Sequence, residues 1–530
     1  MESEPEPVQP ESPEALHKLG NAHFEDGRLE EGLACWRRAV ELRPGDAGLN
    51  YDLGCAFHQL GRLDEAAPCY ERALALEPDR LEALNNLGEL RREQRRFGEA
   101  ASLLQRALTI RPDFVSALCN LGTVRRDEGR TDEAIALYEK ALALEPDTAS
   151  AHSAKGMALR ALGRLDEAVA ACAEAVTQDP EFAVAHLNMG TALRDLGRYE
   201  EAIACYERAL ALDPGSAGAQ INDAMCRLVL GDLATGWAKY EWRLRLPGGS
   251  PPVALKMPRW TGLESLEGKT LFLHAEQGLG DTIQFCRYVM VLAHRGCEVL
   301  LAVPQPLATL LSRLPGLTRI LTLGDAVPEA DYHSPLPSLP LVMGTRLATI
   351  PSATVYLAAT PTHLEKWRAR LGASPRRRVG LAWSGNPRHD NDRNRSIALE
   401  RLLPLLDVGF EVVALQKDLR PADREVIEKS GAIRHFGEEL GDFEDTAALA
   451  SLMDVVVSVD TSIAHLAAAL GRPTWLMLPF VPDWRWLLDR ADSPWYPTVR
   501  LFRQKRIGDW GPVVEDVRRA LHNLHTRGPS

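Results

Sequence analysis

The sequence predicts a multidomain chain, an all-α repeat solenoid followed by two α/β halves. Three observations predict it. A 34-residue period runs through the first 216 residues. A Pro/Gly-rich stretch, LPGGSPPVALKMPRW, then breaks the helical texture near residue 248. Beyond it, short apolar runs bounded by Gly, Pro and Asp alternate with helical patterns, which is how a parallel sheet with crossover helices reads.

Bulk properties narrow the class. A length of 530 residues suits three or four domains of roughly 150 residues each. A net charge of -12 argues against general nucleic-acid binding. The nine cysteines stand singly, without a C-x-x-C pair, so neither a zinc site nor a disulfide framework is expected, and a reducing, cytoplasmic location is. No apolar run reaches the roughly 18 residues of a membrane span. Residues 1–12, acidic and Pro-rich, are expected to form a disordered tail.

The repeat is fixed by several residues at once. Gly20, Gly54, Gly88, Gly122, Gly156 and Gly190 keep the 34-residue step, as do Pro44, Pro78, Pro112, Pro146, Pro180 and Pro214. Ala66, Ala100, Ala134, Ala168 and Ala202 let two helices approach, with Gly32 in the first copy. Trp36, Tyr70, Leu104, Tyr138, Cys172 and Tyr206 fill the gap, and proline ends each second helix. This is the tetratricopeptide pattern, with six repeats over 13–216 and a degraded seventh, or cap, over 217–247. Such solenoids present a concave surface to a protein or peptide. Asn86, Asn120, Asn188 and Asn222 share one frame position and form a candidate peptide-reading ladder, because an amide both donates and accepts. Lys18, Asp52 and Ala154 interrupt it.

A linker over 248–267 leads to halves expected at 268–372 and 373–530. The expected strands are TLFLHA, EVLLAV, RILTL and TVYL, then VGLAWSG, EVVALQ, VVVSVD and TWLMLP. Ligands of open α/β sheets sit beyond the C-terminal strand ends. Three segments fall there. LHAEQGLGDTIQF carries Gly280 and Asp281, with Asp281 and Gln284 spaced as a capping box. GLAWSGNPRHDNDRNRS carries Ser384, Asn386 and Arg395. VVVSVDTSIAHLAAALGRPTWLMLP carries Asp460, Thr461, Ser462 and His465, and opens a helix whose free N–H groups suit a phosphate. Neither G-x-G-x-x-G nor G-x-x-x-x-G-K-[ST] occurs, so dinucleotide and P-loop chemistry find no support. Gln416 and Lys417 end another strand, and the Asp483-Trp484-Arg485-Trp486 run offers indoles for stacking or core packing. His274 and His333 are further possibilities. Asp390-Asn391-Asp392 mimics a metal-binding D-x-D, but its arginine-crowded loop reads as solvated, and no metal is expected.

Residues 268–525 resemble the bacterial heptosyltransferase family, glycosyltransferase family nine, through GLGDTIQ, VGLAWSG and DTSIAHLAAALGRPTWLML. Repeats followed by such a module also resemble the architecture of protein O-GlcNAc transferases. The resemblance implies a GT-B fold, two Rossmann-like domains facing a cleft, with a final helix, DWGPVVEDVRRALHNL, crossing back to the first. It implies a nucleotide-diphosphate sugar as donor substrate, inversion at the anomeric carbon and no further cofactor. Asp281 falls on the general base. Gly280, Ser384, Asn386, Arg395, Asp460, Thr461, Ser462 and His465 fall on the donor side. The family's phosphate-loop lysine has no clear counterpart here, and Arg395 or Lys417 is the candidate substitute. The expected function is glycosyl transfer to an acceptor hydroxyl, with the solenoid recruiting a protein acceptor or partner. The rival is a scaffold whose α/β module only binds partners.

Overall fold

The computed structural model describes residues 12–246, 255–389 and 391–526. The expected tail up to residue 11, the first part of the linker and Asp390 lie outside the described residues. The chain divides into two compact units, 1–196 with 211–214 and 197–210 with 215–530.

The first unit is helical throughout. First helices of successive repeats are Pro13–Glu25, Ala47–Gln59, Leu81–Glu93, Val115–Asp127, Ala149–Ala161 and Ala183–Asp195. Second helices are Leu29–Leu42, Leu63–Leu76, Phe97–Ile110, Thr131–Leu144 and Leu165–Gln178. The frame alanines 66, 73, 100, 107, 134, 141, 168 and 175 are wholly buried between them. The repeat glycine is a close-approach residue. A Cβ on Gly54 would stand 2.7 Å from the Tyr70 ring, and one on Gly122 2.7 Å from Tyr138. Within each hairpin the turn places one residue in the left-handed region, at Gly27, Gly61, Gly129 and Gly163. The third repeat puts Arg95 there, at φ 60°.

In the second unit, helices Ala217–Val229 and Leu233–Tyr240 form the degraded seventh repeat, continued by a 3-10 turn, Glu241–Arg245. A four-stranded sheet follows, β1 (Thr270–His274), β2 (Glu298–Val303), β3 (Leu317–Thr322) and β4 (Tyr332–Pro335), in the order β3-β2-β1-β4. A six-stranded sheet comes next: β5 (Arg378–Ala382), β6 (Glu411–Ala414), β7 (Ile433–His435), β8 (Val455–Val459), β9 (Thr474–Leu478) and β10 (Val499–Arg503). Its order is β10-β9-β8-β5-β6-β7, and the pairings within both sheets are parallel. That is the doubly wound order, with its switch point between β5 and β8. β8 reads VVVSV and is buried at every position, because helices cover both faces. The second core joins Val379, Leu381, Val412, Val455, Val457 and Met477 to Trp383 and Trp510.

Several expectations are corrected. TVYL is not a strand: the N–H groups of Tyr356 and Leu357 both donate to the carbonyl of Ala469, so the segment straps the Ser462–Ala469 helix. The fourth strand of the first sheet is YHSP, too polar to read as a buried strand. β7 and β10 are edge strands that do not read as buried runs, one having three residues and the other carrying Arg500 and Arg503. Finally, the Gly511–Thr526 helix buries Val513, Val514, Val517 and Leu521 in the core of the second sheet instead of crossing to the first. The Pro361–Leu371 helix, ahead of the expected 372/373 boundary, packs on Phe443–Ser451 of the second half, where Lys366 and the Trp367 indole both donate to Asp445.

Candidate functional site

The site forms where β1, β5 and β8 end. β1 runs out at His274, and Gly278 caps the Leu279–Phe285 helix. Asp281 is the third residue of that helix, not its cap, and its Oδ2 accepts the Gly278 N–H at 3.0 Å. The expected Asp281/Gln284 box is therefore displaced by three residues, because the flexible Gly278 opens the turn earlier. Gln284 is wholly buried and accepts from Arg485 Nε at 2.5 Å.

Arg485 organises the centre. It is buried, and donates to Asp281 Oδ1, to Gln284 and to Asp483 Oδ1 at 2.7 Å. Burial alone pulls a guanidinium pKa down; here the carboxylates of Asp483 and Asp281 outweigh it and hold Arg485 above its usual value. Its charge offsets two acids in a dry environment.

Across from Asp281, Asp460 follows the last residue of β8, and Thr461 caps the Ser462–Ala469 helix. Gly280 lies against this helix, where an added Cβ would stand 2.9 Å from His465 Cδ2 and 3.6 Å from Ser462 Cα. His465 is stacked on Trp486 at 5.4 Å and hydrogen-bonded through Nδ1 to the Tyr496 hydroxyl at 2.9 Å. Burial, followed by the charges of Arg485, Arg287 and Arg395, holds it well below the usual histidine range. Asp460 is pushed up to about 6, by burial first and by Asp483 second.

The loop after β5 closes the third side. Ser384 Oγ accepts from Gln416 Nε2 at 2.5 Å, and the Ser384 N–H donates back to Gln416 Oε1 at 3.2 Å. Arg395 Nη1 donates to the Asp460 carbonyl at 3.1 Å, so this guanidinium spans the β5–β8 switch point. Its Nε is buried with no hydrogen-bond partner among the described residues. A helix N-terminus and a cation thus lie together at the switch point, a pairing suited to a phosphate group.

Gly280, Asp281, Arg395, Asp460, Thr461, Ser462 and His465 come together, with Ser384 at the edge. Asn386 is exposed, its Oδ1 accepting from the Arg388 N–H at 3.0 Å. Lys417 lies one strand away, donating to the Gly441 carbonyl at 3.1 Å. It lines a separate cavity of about 410 Å³ with His435, Phe436 and Glu439. His274 and His333 stack on β1 and β4 with ring nitrogens 3.4 Å apart. Burial, then His333 and two arginines, brings His274 down to about 4. Asp392 of the D-x-D mimic is taken by Ser396 and Arg420, and no cluster of metal-ligating side chains occurs among the described residues. In the repeats, the ladder amides are spent between neighbouring repeats. Asn86 Nδ2 donates to the Tyr51 hydroxyl at 3.0 Å, Asn120 to Asn85 at 2.9 Å and Asn188 to Ser153 at 2.9 Å. Asn222 belongs to the seventh repeat.

Sequence reasoning missed Arg485 as the partner of Asp281. The pair spans 204 residues, and no local pattern announces it. The one available hint was a lone arginine between two tryptophans.

Comparison with known proteins agrees with this division. Tetratricopeptide-repeat models match residues 11–76, 51–113, 119–181 and 183–216, so the chain carries these repeats across its N-terminal region. The model of glycosyltransferase family 9 (heptosyltransferase) matches residues 441–475, which hold β8 and the Ser462–Ala469 helix. Protein FlbA of Caulobacter vibrioides is 30% identical over 300 residues, 50% of this chain and 48% of that protein. The chain therefore spans about half the length of this relative. Among solved structures, the APC/C hetero-tetramer Cut9-Hcn1 is 19% identical over 41% of this chain and 44% of that one, with a TM-score of 0.38. TTC0263, a thermophilic TPR protein of Thermus thermophilus, is 23% identical over 34% and 100%, with a TM-score of 0.33. YrrB, described as a TPR protein with an unusual peptide-binding site, is 24% identical over 35% and 95%, with a TM-score of 0.27.

Proposed function

We propose that the second unit binds a nucleotide-diphosphate sugar in the crevice between β5 and β8 and transfers the sugar to an acceptor hydroxyl with inversion. The observation that carries this reading is the meeting of Arg395 and the Ser462–Ala469 N-terminus at the switch point, with Asp281 opposite. Transfer needs a base for the acceptor proton and stabilisation of the departing diphosphate. Asp281 has both oxygens engaged, yet each keeps a second lone pair for an acceptor hydroxyl. The free N–H groups of the helix and the Arg395 guanidinium meet the charge that grows on the leaving group. Such a site is GT-B in character and has no need of a metal. The repeats recruit a protein acceptor or partner, as tetratricopeptide arrays do.

The rival reading, a partner-binding scaffold, draws on one observation. Asp281 holds a helix turn and an arginine at once, which is sufficient reason for it to be there. Nucleotide binding separates the two. A thermal-shift screen with ADP, UDP, GDP and CDP is expected to find one stabilising nucleotide. At ten to a hundred times its Kd, that nucleotide adds roughly 1.4–2.7 kcal/mol. The shift should be lost in Thr461→Ala/Ser462→Ala. Silence from all four at millimolar concentration selects the scaffold.

A further inference from the structure

The degraded seventh repeat touches both arms of the Asp281–Arg485 pair. On the first arm, Tyr240 ends the Leu233–Tyr240 helix, and its hydroxyl is bonded to Gln277, which donates to it from Nε2 at 2.8 Å. Arg243 follows on the 3-10 turn, is buried, and donates to Glu276, to Glu241 at 2.6 Å and to Ser338 Oγ at 2.7 Å. Glu276 and Gln277 immediately precede Gly278, whose N–H holds Asp281. On the second arm, Trp237 packs edge-on against Trp484 at 5.0 Å, beside Phe285 and Trp495. Trp484 is the neighbour of Arg485, which lies over its ring at 4.3 Å.

These contacts exceed what a terminal repeat needs for shielding its apolar face. A cap needs a polar outer surface. This one instead buries an arginine, a tyrosine and a tryptophan against the two loops that position the site. We infer that Tyr240 and Arg243 of the seventh repeat are positioning residues for the Asp281–Arg485 centre. The terminal repeat is then a working part of the α/β module. It fixes the Glu276–Gly278 loop on one side and the Trp484–Arg485 turn on the other. A load applied to this repeat changes the crevice, and a ligand in the crevice stiffens the repeat by the same coupling, since linkage is reciprocal.

The inference rests on the proposed nucleotide site for its functional consequence, but its structural half is testable without it. Hydrogen exchange on the full chain is read at residues 276–285 and 483–487 in wild type, Tyr240→Phe and Arg243→Lys. Tyr138→Phe, which removes a hydroxyl bonded to Thr123 within the repeats, serves as control. Tyr240→Phe and Arg243→Lys should each speed exchange in both segments at least threefold and leave the Leu81–Glu93 helix unchanged. The control should leave both segments as in wild type. For the diphosphate that responds in the screen, Tyr240→Phe should raise Kd three- to tenfold with the melting midpoint held. Unchanged exchange in Tyr240→Phe, which loses only one oxygen and will fold, overturns the inference even if Arg243→Lys fails to fold. If wild type binds no nucleotide, the proposed function falls, and the exchange result still decides this one.

Discussion

The repeats and the α/β module spend their charges in opposite ways. In the second to fifth repeats, the arginine at the mouth of the second helix pairs with a glutamate three residues on, at 62/65, 96/99, 130/133 and 164/167. These pairs lie in solvent and recur with the period. In the α/β module some arginines pair instead at long range, with at least one partner of each pair buried. Arg485 reaches Asp281 across 204 residues, and Arg313 reaches the fully buried Glu444 across 131. Arg287 has no carboxylate in contact among the described residues; it donates to the Trp495 and Pro351 carbonyls and sits over the Tyr356, Trp495 and Tyr496 rings. Exposed pairs contribute little, whereas breaking a buried one strands a charge. The contrast separates a unit built by repetition from a unit built around a site.

The largest expected effect is at the buried centre. Arg485→Ala leaves Asp281, Asp483 and Gln284 without their shared donor and should cost on the order of 3–5 kcal/mol in denaturant unfolding of the α/β transition. A cost indistinguishable from that of an exposed Arg–Glu pair would erase the contrast.

A pH effect comes next. Burial, then the charge of Asp483, pushes Asp460 up to about 6 in the fold, above the ordinary carboxylate range, so the native state holds its proton more tightly. Its contribution to stability is therefore full below about 4 and is lost as pH rises through about 6. Relative to Asp460→Asn, wild type should lose up to roughly 3 kcal/mol over that window. A difference between the two proteins that does not vary with pH would refute the assignment.

The repeats should respond to steric changes. Gly122→Ala places a methyl 2.7 Å from the Tyr138 ring and should destabilise by about 1–3 kcal/mol, measured by urea unfolding. Arg95→Gly should act in the other direction. It relieves a non-glycine residue at φ 60°, in the turn where neighbouring repeats carry glycine, and should stabilise by about 1 kcal/mol. A loss of stability at Arg95→Gly would mean that its contact with the Phe97 ring outweighs the strain.

Legibility follows the same division. The repeats could be read down to single residues, since each stabilising contact recurs every 34 positions and reports itself several times. The buried strands of the second sheet were also plain, because runs such as VVVSV are covered on both faces. The polar fourth strand and the edge strands were not, being set by pairing with neighbours and not by their own composition. At the site, Gly280, Asp281 and the Asp460–His465 segment could be placed from local pattern. Arg485 and Tyr240 could not, because their roles depend on the second sheet and the seventh repeat meeting Gly278–Asp281. Lys417 follows a strand end, yet β6 lies on the far side of β5 from the switch point.

The measurement that tests the central claim most directly is a calorimetric titration of the responding nucleoside diphosphate into wild type, Arg395→Ala and Lys417→Ala. If the diphosphate sits at the switch point, Arg395→Ala weakens binding at least tenfold, about 1.4 kcal/mol, and Lys417→Ala leaves it within a factor of two. Equal affinity in wild type and Arg395→Ala, or a loss confined to Lys417→Ala, would contradict the account and move the ligand to the cavity beside Lys417.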